Sequence, residues 1–250
     1  MDPLASPSAA APVTAPHYKF WPKRAPRSIT PPATSLWHNL AISALRYPDK
    51  VATVFFGSTL TYIQLLQQAE RLAACLYGLG VRAGDRVVLS MQNCPQLVVA
   101  HWAILRANAV VVPVNPMNRA EELKHYITDP DARVAITTAD LAGELAQASN
   151  ALEVKDRLAH LIVTHYSDGF DAAAAPAQGQ AEAAMPDAWR DWLGTLHALP
   201  SIDGGSVMRW ADAVAPLKDE SADDLPAHTA TPQDLAVLPY TSGTTGLPKG

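Results

Sequence analysis

The sequence contains few cysteines and no surplus of positive charge. Cys75 and Cys94 are the two cysteines among 250 residues, and neither has the partner spacing of a zinc site or a redox motif. The net charge is −5, so we expect no basic surface that could hold nucleic acid. Charged residues make up 17% of the chain and hydrophobic residues 48%, which predicts a packed core and argues against wholesale disorder.

Long hydrophobic runs and a leader pattern are also missing. The longest apolar tract, residues 97–114, is interrupted by His101, Arg106, Asn108 and Pro113. It therefore predicts a buried helix followed by a strand, rather than a membrane span. Residues 1–7 lack the basic start and the apolar core of a signal peptide. We expect a cytoplasmic protein, for which weak peripheral contact with a membrane and oligomerisation both stay open.

Two stretches differ in composition from the rest of the chain. Residues 1–33 are rich in Pro, Ala and Ser, which predicts a mobile arm. Its aromatic and basic patch at 18–24 could touch a lipid surface, although an arm folded over the domain is the favoured interpretation. Residues 166–230 are predicted to be an irregular insert with a low-complexity stretch at 171–180. A short helix at 186–199 would place Trp189, Trp192 and Leu196 on one face, for packing or as a lid.

Between these stretches, residues 34–165 alternate between helical and strand patterns. The predicted helices lie at 36–45, 65–79, 95–107 and 119–128, and the predicted strands at 51–56, 59–62, 86–91, 109–114, 133–137 and 158–164. This alternation predicts an α/β fold with a doubly wound, mostly parallel sheet and flanking helices. A further strand at 235–240 leads into the last residues of the chain, so residues 231–250 are predicted to begin another subdomain.

The last eleven residues, YTSGTTGLPKG from Tyr240 to Gly250, carry the clearest chemical signal. Glycines let a backbone approach an anion, hydroxyls add donors, and Lys249 adds a cation suited to phosphoryl oxygens. The Walker A pattern fails, because Pro248 occupies the place of its second glycine and Gly250 that of its Ser or Thr. A bland surface turn rich in Gly and Thr is the remaining alternative to a phosphate loop.

The order of these eleven residues resembles the phosphate-loop signature of the AMP-forming adenylating enzymes. That superfamily includes acyl-CoA synthetases, beetle luciferases and peptide-synthetase adenylation domains. Weaker matches to its fatty acyl-CoA ligase branch extend the resemblance over about residues 34–165 and 232–250, and they lie at 60–62, 84–87, 93–95, 113–116 and 119–132. Asn108 is a departure, since similar proteins commonly carry Gly there, but Asn tolerates the same left-handed turn.

The resemblance implies particular roles for residues of the loop. It implies that the ATP phosphates are held by Thr241, Ser242, Gly243, Thr244, Thr245, Gly246 and Lys249. Thr241 would also lie beside Mg²⁺ as a metal ligand, and Lys249 would be catalytic by stabilising the charge of departing pyrophosphate. The implied cofactors are ATP and Mg²⁺, with a carboxylic acid and coenzyme A as co-substrates.

Taken as a whole, the resemblance implies the N-terminal part of the large domain of an adenylate-forming enzyme. We expect an ATP-dependent acyl-CoA synthetase that acts on medium-chain or long-chain fatty acids. Such enzymes continue well past this loop, so residues 231–250 would begin a truncated subdomain and this piece alone would be inactive. Two alternatives are an adenylating enzyme for aryl acids or peptide synthesis, and a non-catalytic association module with this fold.

Overall fold

The computed structural model describes residues 16–170, 186–215, 225–241 and 248–250. The chain divides into two compact units, Met1–Pro32 and Ala33–Gly250. In the first unit, a 3₁₀ helix at Pro16–Phe20 is followed by a turn in which the Tyr18 hydroxyl donates to the carbonyl of Arg27 at 3.4 Å. The Arg27 guanidinium also lies 5.0 Å from the centre of the Tyr18 ring. Mobility of this arm stays a prediction.

The second unit begins with a helix and a β-hairpin that the hydrophobic pattern predicts. They are α1 (Trp37–Arg46), β1 (Val51–Phe55) and β2 (Ser58–Thr61). The two turn residues, Phe56 and Gly57, both have positive φ, at 45° and 87°. This is the geometry of a tight hairpin turn whose twist matches that of the strands. The next helix, α2 (Tyr62–Gly78), begins with a capping box between Thr61 and Gln64.

A parallel sheet forms the centre of this unit. Its strands are β3 (Arg86–Ser90), β4 (Val110–Pro113), β5 (Val134–Thr138), β6 (His160–Thr164) and β7 (Ser206–Arg209). They are ordered β4-β3-β5-β6-β7, and every neighbouring pair is parallel. The chain builds outward from β3 first to one side and then to the other, which is a doubly wound order. The predicted fold class is therefore confirmed.

Helices cover both faces of the sheet. They are α3 (Pro95–Arg106), α4 (Ala120–Thr128), α5 (Ala142–Asn150), α6 (Asp187–Gly194) and α7 (Trp210–Ala213). Alternate residues of β3 enter opposite cores, since Val87 packs with α1, α2, α3 and α7 while Val88 packs with α4 and α5. Strands buried on both faces explain the continuous apolar run at 110–112. Among the described residues, no helix is long and apolar enough to cross a bilayer.

The structure differs from the predicted elements in several places. Strand β7 and helices α5 and α7 are additional, and both β7 and α7 lie inside the range predicted to be an irregular insert. The strand predicted at 235–240 is reduced to one parallel bridge, in which Val237 lies beside Val111 of β4. Pro239 follows closely, and its ring nitrogen has no proton to continue a ladder of hydrogen bonds.

The predicted aromatic helix is also shorter, because α6 ends at Gly194 and leaves Leu196 outside it. The Trp192 ring packs on Tyr166 with 4.3 Å between ring centres, and the Trp189 ring lies 5.2 Å from Phe56. These contacts support packing on the domain as the interpretation of the two tryptophans. The low-complexity stretch at 171–180 lies outside the described residues.

Candidate functional site

The two ends of the terminal loop are paired with each other. The Thr241 amide donates to the Lys249 carbonyl at 3.1 Å, and the Lys249 amide donates to the Thr241 carbonyl at 3.2 Å. This antiparallel pair forms the base of the terminal loop. Five of the residues predicted to bind phosphate lie outside the described residues: Ser242, Gly243, Thr244, Thr245 and Gly246. Their role stays a prediction.

The segment before the loop is held beside the parallel sheet. The Val111 amide of β4 donates to the Ala236 carbonyl at 2.9 Å, and the Leu238 amide donates to the Val111 carbonyl at 2.8 Å. Leu238 and Tyr240 then pack against the core that contains α4 and α5. The segment that precedes the loop therefore runs from the edge of the sheet to the α4 side of the fold.

Tyr240 fixes the upstream end of the loop to α4. Its hydroxyl donates a hydrogen bond to the carboxylate of Asp129, the residue that follows the helix. Its ring meets that of Tyr126 edge to face, with 4.9 Å between centres. Burial raises the pKa of Tyr240 far above its ordinary value, and the hydrogen bond to Asp129 and the charge of that carboxylate raise it further. Tyr240 therefore stays a protonated donor across the physiological pH range.

His125 fixes the downstream end of the loop to the same helix. Its Nε2 atom lies 2.7 Å from the Pro248 carbonyl oxygen. A carbonyl oxygen can only accept a hydrogen bond, so Nε2 must carry a proton in this arrangement. Gly250 also packs closely here, because a Cβ atom at that position would lie 2.9 Å from Cζ of Tyr240. Any residue larger than glycine would have to displace the tyrosine ring.

The predicted catalytic residue, Lys249, and the predicted metal ligand, Thr241, are brought together at the base of the loop. Both are exposed, and the Lys249 ammonium has no ion pair within the parts of the chain that the structure describes. A cation at the base of a loop rich in glycine and hydroxyl residues is suited to phosphoryl oxygens. Its chemistry therefore fits a nucleotide phosphate.

A magnesium site is not visible in the same region. Within the described ranges, no three or more His, Cys, Asp or Glu side chains cluster so as to hold a metal ion. Magnesium prefers carboxylate oxygens and water in octahedral geometry, and the hydroxyl of Thr241 supplies at most one such ligand. The predicted role of Thr241 as a magnesium ligand therefore stays a prediction.

Comparison with known proteins identifies the family. The family described as AMP-binding enzyme matches residues 40–250. The chain belongs to the AMP-binding enzyme family. This match confirms the resemblance carried by the terminal loop, and it includes every residue of the site described above. Members of the family form adenylates, which implies the use of ATP.

Curated relatives differ in the acid that their names specify. The chain is 32% identical over 231 residues to a long-chain-fatty-acid–CoA ligase of Bacillus subtilis (strain 168), covering 92% of this chain and 38% of the relative. It is also 32% identical over 242 residues to a salicyl-AMP ligase / salicyl-S-ArCP synthetase of Mycobacterium tuberculosis, covering 92% and 36%. The chain thus spans less than two fifths of the length of these relatives.

A solved structure agrees with the fold. The apo structure of MbtA from Mycobacterium smegmatis superimposes with a TM-score of 0.59 and 28% identity, covering 87% of this chain and 33% of that one. The doubly wound sheet and its helices therefore belong to the adenylate-forming architecture. Neither the fold nor the similarity to relatives distinguishes a fatty acid from an aryl acid.

Sequence reasoning identified the loop and missed the residues that hold it. The motif alone points to Thr241 and Lys249. The roles of His125 and Asp129 have no local signal, because their partners lie 123 and 111 positions away in the sequence. The pattern of α4 shows which face is buried but does not show what covers the rest.

Proposed function

We propose that this chain is the N-terminal part of an ATP-dependent acid–thiol ligase, in which the loop closed by Thr241 and Lys249 binds the phosphates of ATP. The carboxylate of the acid attacks the α-phosphorus of ATP. The bond from the α-phosphorus to the oxygen that bridges to the β-phosphorus breaks, and acyl-AMP and pyrophosphate form. A thiol, coenzyme A in our proposal, then displaces AMP and gives the thioester. The observation that carries this proposal is the paired loop base, whose lysine forms no ion pair with any residue that the structure describes.

Lys249 has the clearest role in the proposed reaction. Pyrophosphate leaves with more charge than it carries within ATP, and a preorganised cation stabilises that developing charge. The glycines and hydroxyls at 242–246 would supply further donors, and Thr241 would help hold a magnesium ion bound with the nucleotide. Each of these assignments extends the family's chemistry to matching positions of this chain.

For the acid we propose a medium-chain or long-chain fatty acid. The B. subtilis fatty-acid ligase supports this choice, and the mycobacterial salicyl-AMP ligase, equal in identity and coverage of this chain, supports an aryl acid as the second candidate. Acid-dependent exchange of labelled pyrophosphate into ATP, measured on the intact protein with palmitate, octanoate and salicylate, separates the two. Exchange with salicylate alone would reject the fatty-acid proposal, and no exchange with any acid would favour a non-catalytic module.

We further propose that this piece does not catalyse the reaction without the remainder of a ligase, since it spans 38% of its B. subtilis relative. The same exchange assay on the purified chain is expected to give only background. Exchange that rises in proportion to the concentration of the purified chain would show that the missing part is dispensable. A cytoplasmic location, with fatty acids reaching the enzyme from a membrane surface, completes the proposal.

A further inference from the structure

Both ends of the loop base are fastened to the same part of one helix. Tyr240, immediately before Thr241, donates to Asp129, and Pro248, immediately before Lys249, accepts from His125. His125 and Asp129 are four positions apart, so they lie above one another on the same side of the last turn of α4 and its cap. The loop base therefore rests on one small platform made of these two side chains.

The peptide unit between Pro248 and Lys249 is held on both of its sides. Its carbonyl accepts from Nε2 of His125 at 2.7 Å, and its amide donates to the Thr241 carbonyl at 3.2 Å. A peptide unit is planar, so two hydrogen bonds on opposite edges fix its rotation. The Cα atom of Lys249 belongs to this plane, so its position is fixed with it. The Lys249 carbonyl accepts from the Thr241 amide at 3.1 Å, and this bond limits the backbone rotation that sets the starting direction of the side chain.

Aromatic contacts support the same arrangement from the other end. The Tyr240 ring lies 5.6 Å from the His125 ring at 83° and 4.9 Å from the Tyr126 ring at 73°. Edge-to-face contacts of this kind prefer a definite geometry. Movement of Tyr240 would therefore disturb the histidine that holds Pro248. The contact of Tyr240 with Asp129 and that of His125 with Pro248 thus depend on each other.

We propose that His125 and Tyr240 are positioning residues for the adenylation step, and that they dock the base of the phosphate loop, Thr241 and Lys249, on the end of α4 so that Lys249 points at the leaving pyrophosphate. This proposal rests on the proposed function of the loop. Neither residue needs to touch the nucleotide. They act through the Pro248 carbonyl and the chain direction at Thr241, and their effect appears in the rate of the step more than in the affinity for substrates.

Three variants of the intact ligase test the proposal. His125→Phe keeps a ring but removes the donor, His125→Gln keeps an N–H donor at similar reach, and Tyr240→Phe removes one hydroxyl. The single-turnover rate of acyl-AMP formation at saturating ATP and acid should fall about threefold to tenfold in His125→Phe and Tyr240→Phe, as expected for one lost hydrogen bond. His125→Gln should keep most of the rate, and binding constants should change less than the rates do.

Glu121→Gln is the matched control, because Glu121 lies on α4 and its carboxylate pairs with Lys124 on the exposed surface. It should leave the rate unchanged. If the wild type forms acyl-AMP and both Phe variants match it, the positioning role is wrong while the proposed function stands. A purely structural role is shown instead if His125→Phe and His125→Gln lose melting temperature and rate together, and this also overturns the proposal.

A second measurement decides the matter without activity. In this chain as it stands, the amides of Thr241 and Lys249 should exchange with deuterium more slowly in the wild type than in His125→Phe. Equal exchange in both proteins would show that His125 does not dock the loop. If the wild-type ligase forms no acyl-AMP but exchange differs as expected, the docking is correct and the proposed function of the loop is the part that fails.

Discussion

Thr241 and Lys249 exchange two backbone hydrogen bonds, 3.1 and 3.2 Å long, and so define the base of the terminal loop. The pair places a cation next to the first hydroxyl residue of the loop. The same pair holds the Lys249 backbone at a defined place beside Thr241. On this backbone we expect the Lys249 ammonium to stabilise the charge that develops on departing pyrophosphate.

Lys249→Ala in the intact ligase should lower the rate of adenylation while acid affinity barely changes. The expected loss is about 2–4 kcal/mol of transition-state stabilisation, as for removal of one preorganised donor. Single-turnover formation of acyl-AMP measures the rate, and direct titrations with ATP and the acid measure affinity. Lys155→Ala, which removes an exposed lysine paired with Glu153, is the control and should change neither quantity. A variant that weakened only acid binding would contradict the phosphate role of the loop.

The parts of the fold that the sequence predicts are those with strong local patterns. β4 is a run of three buried valines before a proline, and β5 is buried at every position from Val134 to Thr138. β7 has no such pattern, since it is a four-residue edge strand with exposed ends at Ser206 and Arg209. Its place in the sheet comes from pairing with β6, which is a tertiary interaction that local periodicity does not encode.

In the candidate site, too, some residues are predicted by a local sequence pattern and others depend on tertiary contacts. The residue types at 241–249 predict a phosphate site, because glycines allow close approach of the backbone and hydroxyl and lysine side chains can donate to phosphoryl oxygens. The contacts of Tyr240 with Asp129 and of His125 with Pro248 depend on how α4 packs against a segment more than 100 residues later. Such pairs follow from the assembled core, so a single sequence cannot indicate them.

Asn108 should stabilise the folded state in two ways, through its left-handed backbone geometry and through the hydrogen bonds of its side chain. It has φ of +59°, its Oδ1 accepts from the amides of Thr229 and Ala230 at 2.9 and 3.0 Å, and its Nδ2 donates to the Ala227 carbonyl. Asn108→Gly keeps the left-handed turn and loses these bonds, for an expected cost of about 1–2 kcal/mol.

Asn108→Ala also strains the backbone and should cost about 1 kcal/mol more than the glycine variant. Urea unfolding of the wild type and both variants measures the three free energies of unfolding. Equal stability of the two variants would show that the left-handed turn is not maintained by residue 108. A loss confined to the alanine variant would show that the bonds to residues 227–230 contribute nothing.

His101 should make the protein less stable as the pH falls. Burial lowers the pKa of His101 below its ordinary value of 6.5, so the folded state favours the neutral ring. Between the folded pKa and 6.5, the unfolded chain binds more protons than the folded one, so the free energy of unfolding decreases as the pH is lowered through that window. His101→Gln removes this contribution. Urea unfolding at about pH 7.5 and about pH 5 should show a smaller difference for the variant than for the wild type. Identical differences would contradict the prediction, because His160 and His228, whose pKa values are also lowered, are present in both proteins.

A side chain at position 169 should crowd Gln96, so the effects of substituting Gly169 and Gln96 on stability should be coupled. A Cβ atom at Gly169 would lie 2.5 Å from Oε1 of Gln96, and Gln96 is only 2% exposed with its Nε2 donating to the His165 carbonyl at 3.0 Å. The amide therefore cannot move aside without losing that bond, and Gly169→Ala should cost about 1–3 kcal/mol by overpacking. Gln96→Ala relieves the crowding, so the double variant should be more stable than the sum of the single changes by about 1 kcal/mol.

Gly143→Ala is the matched control, because a Cβ atom there would meet no described atom within 4 Å beyond its own stretch of helix. Since Gly143 lies within α5, this substitution should stabilise the protein slightly. Strict additivity in urea unfolding of the two single variants and the double variant would show that the two residues do not crowd each other.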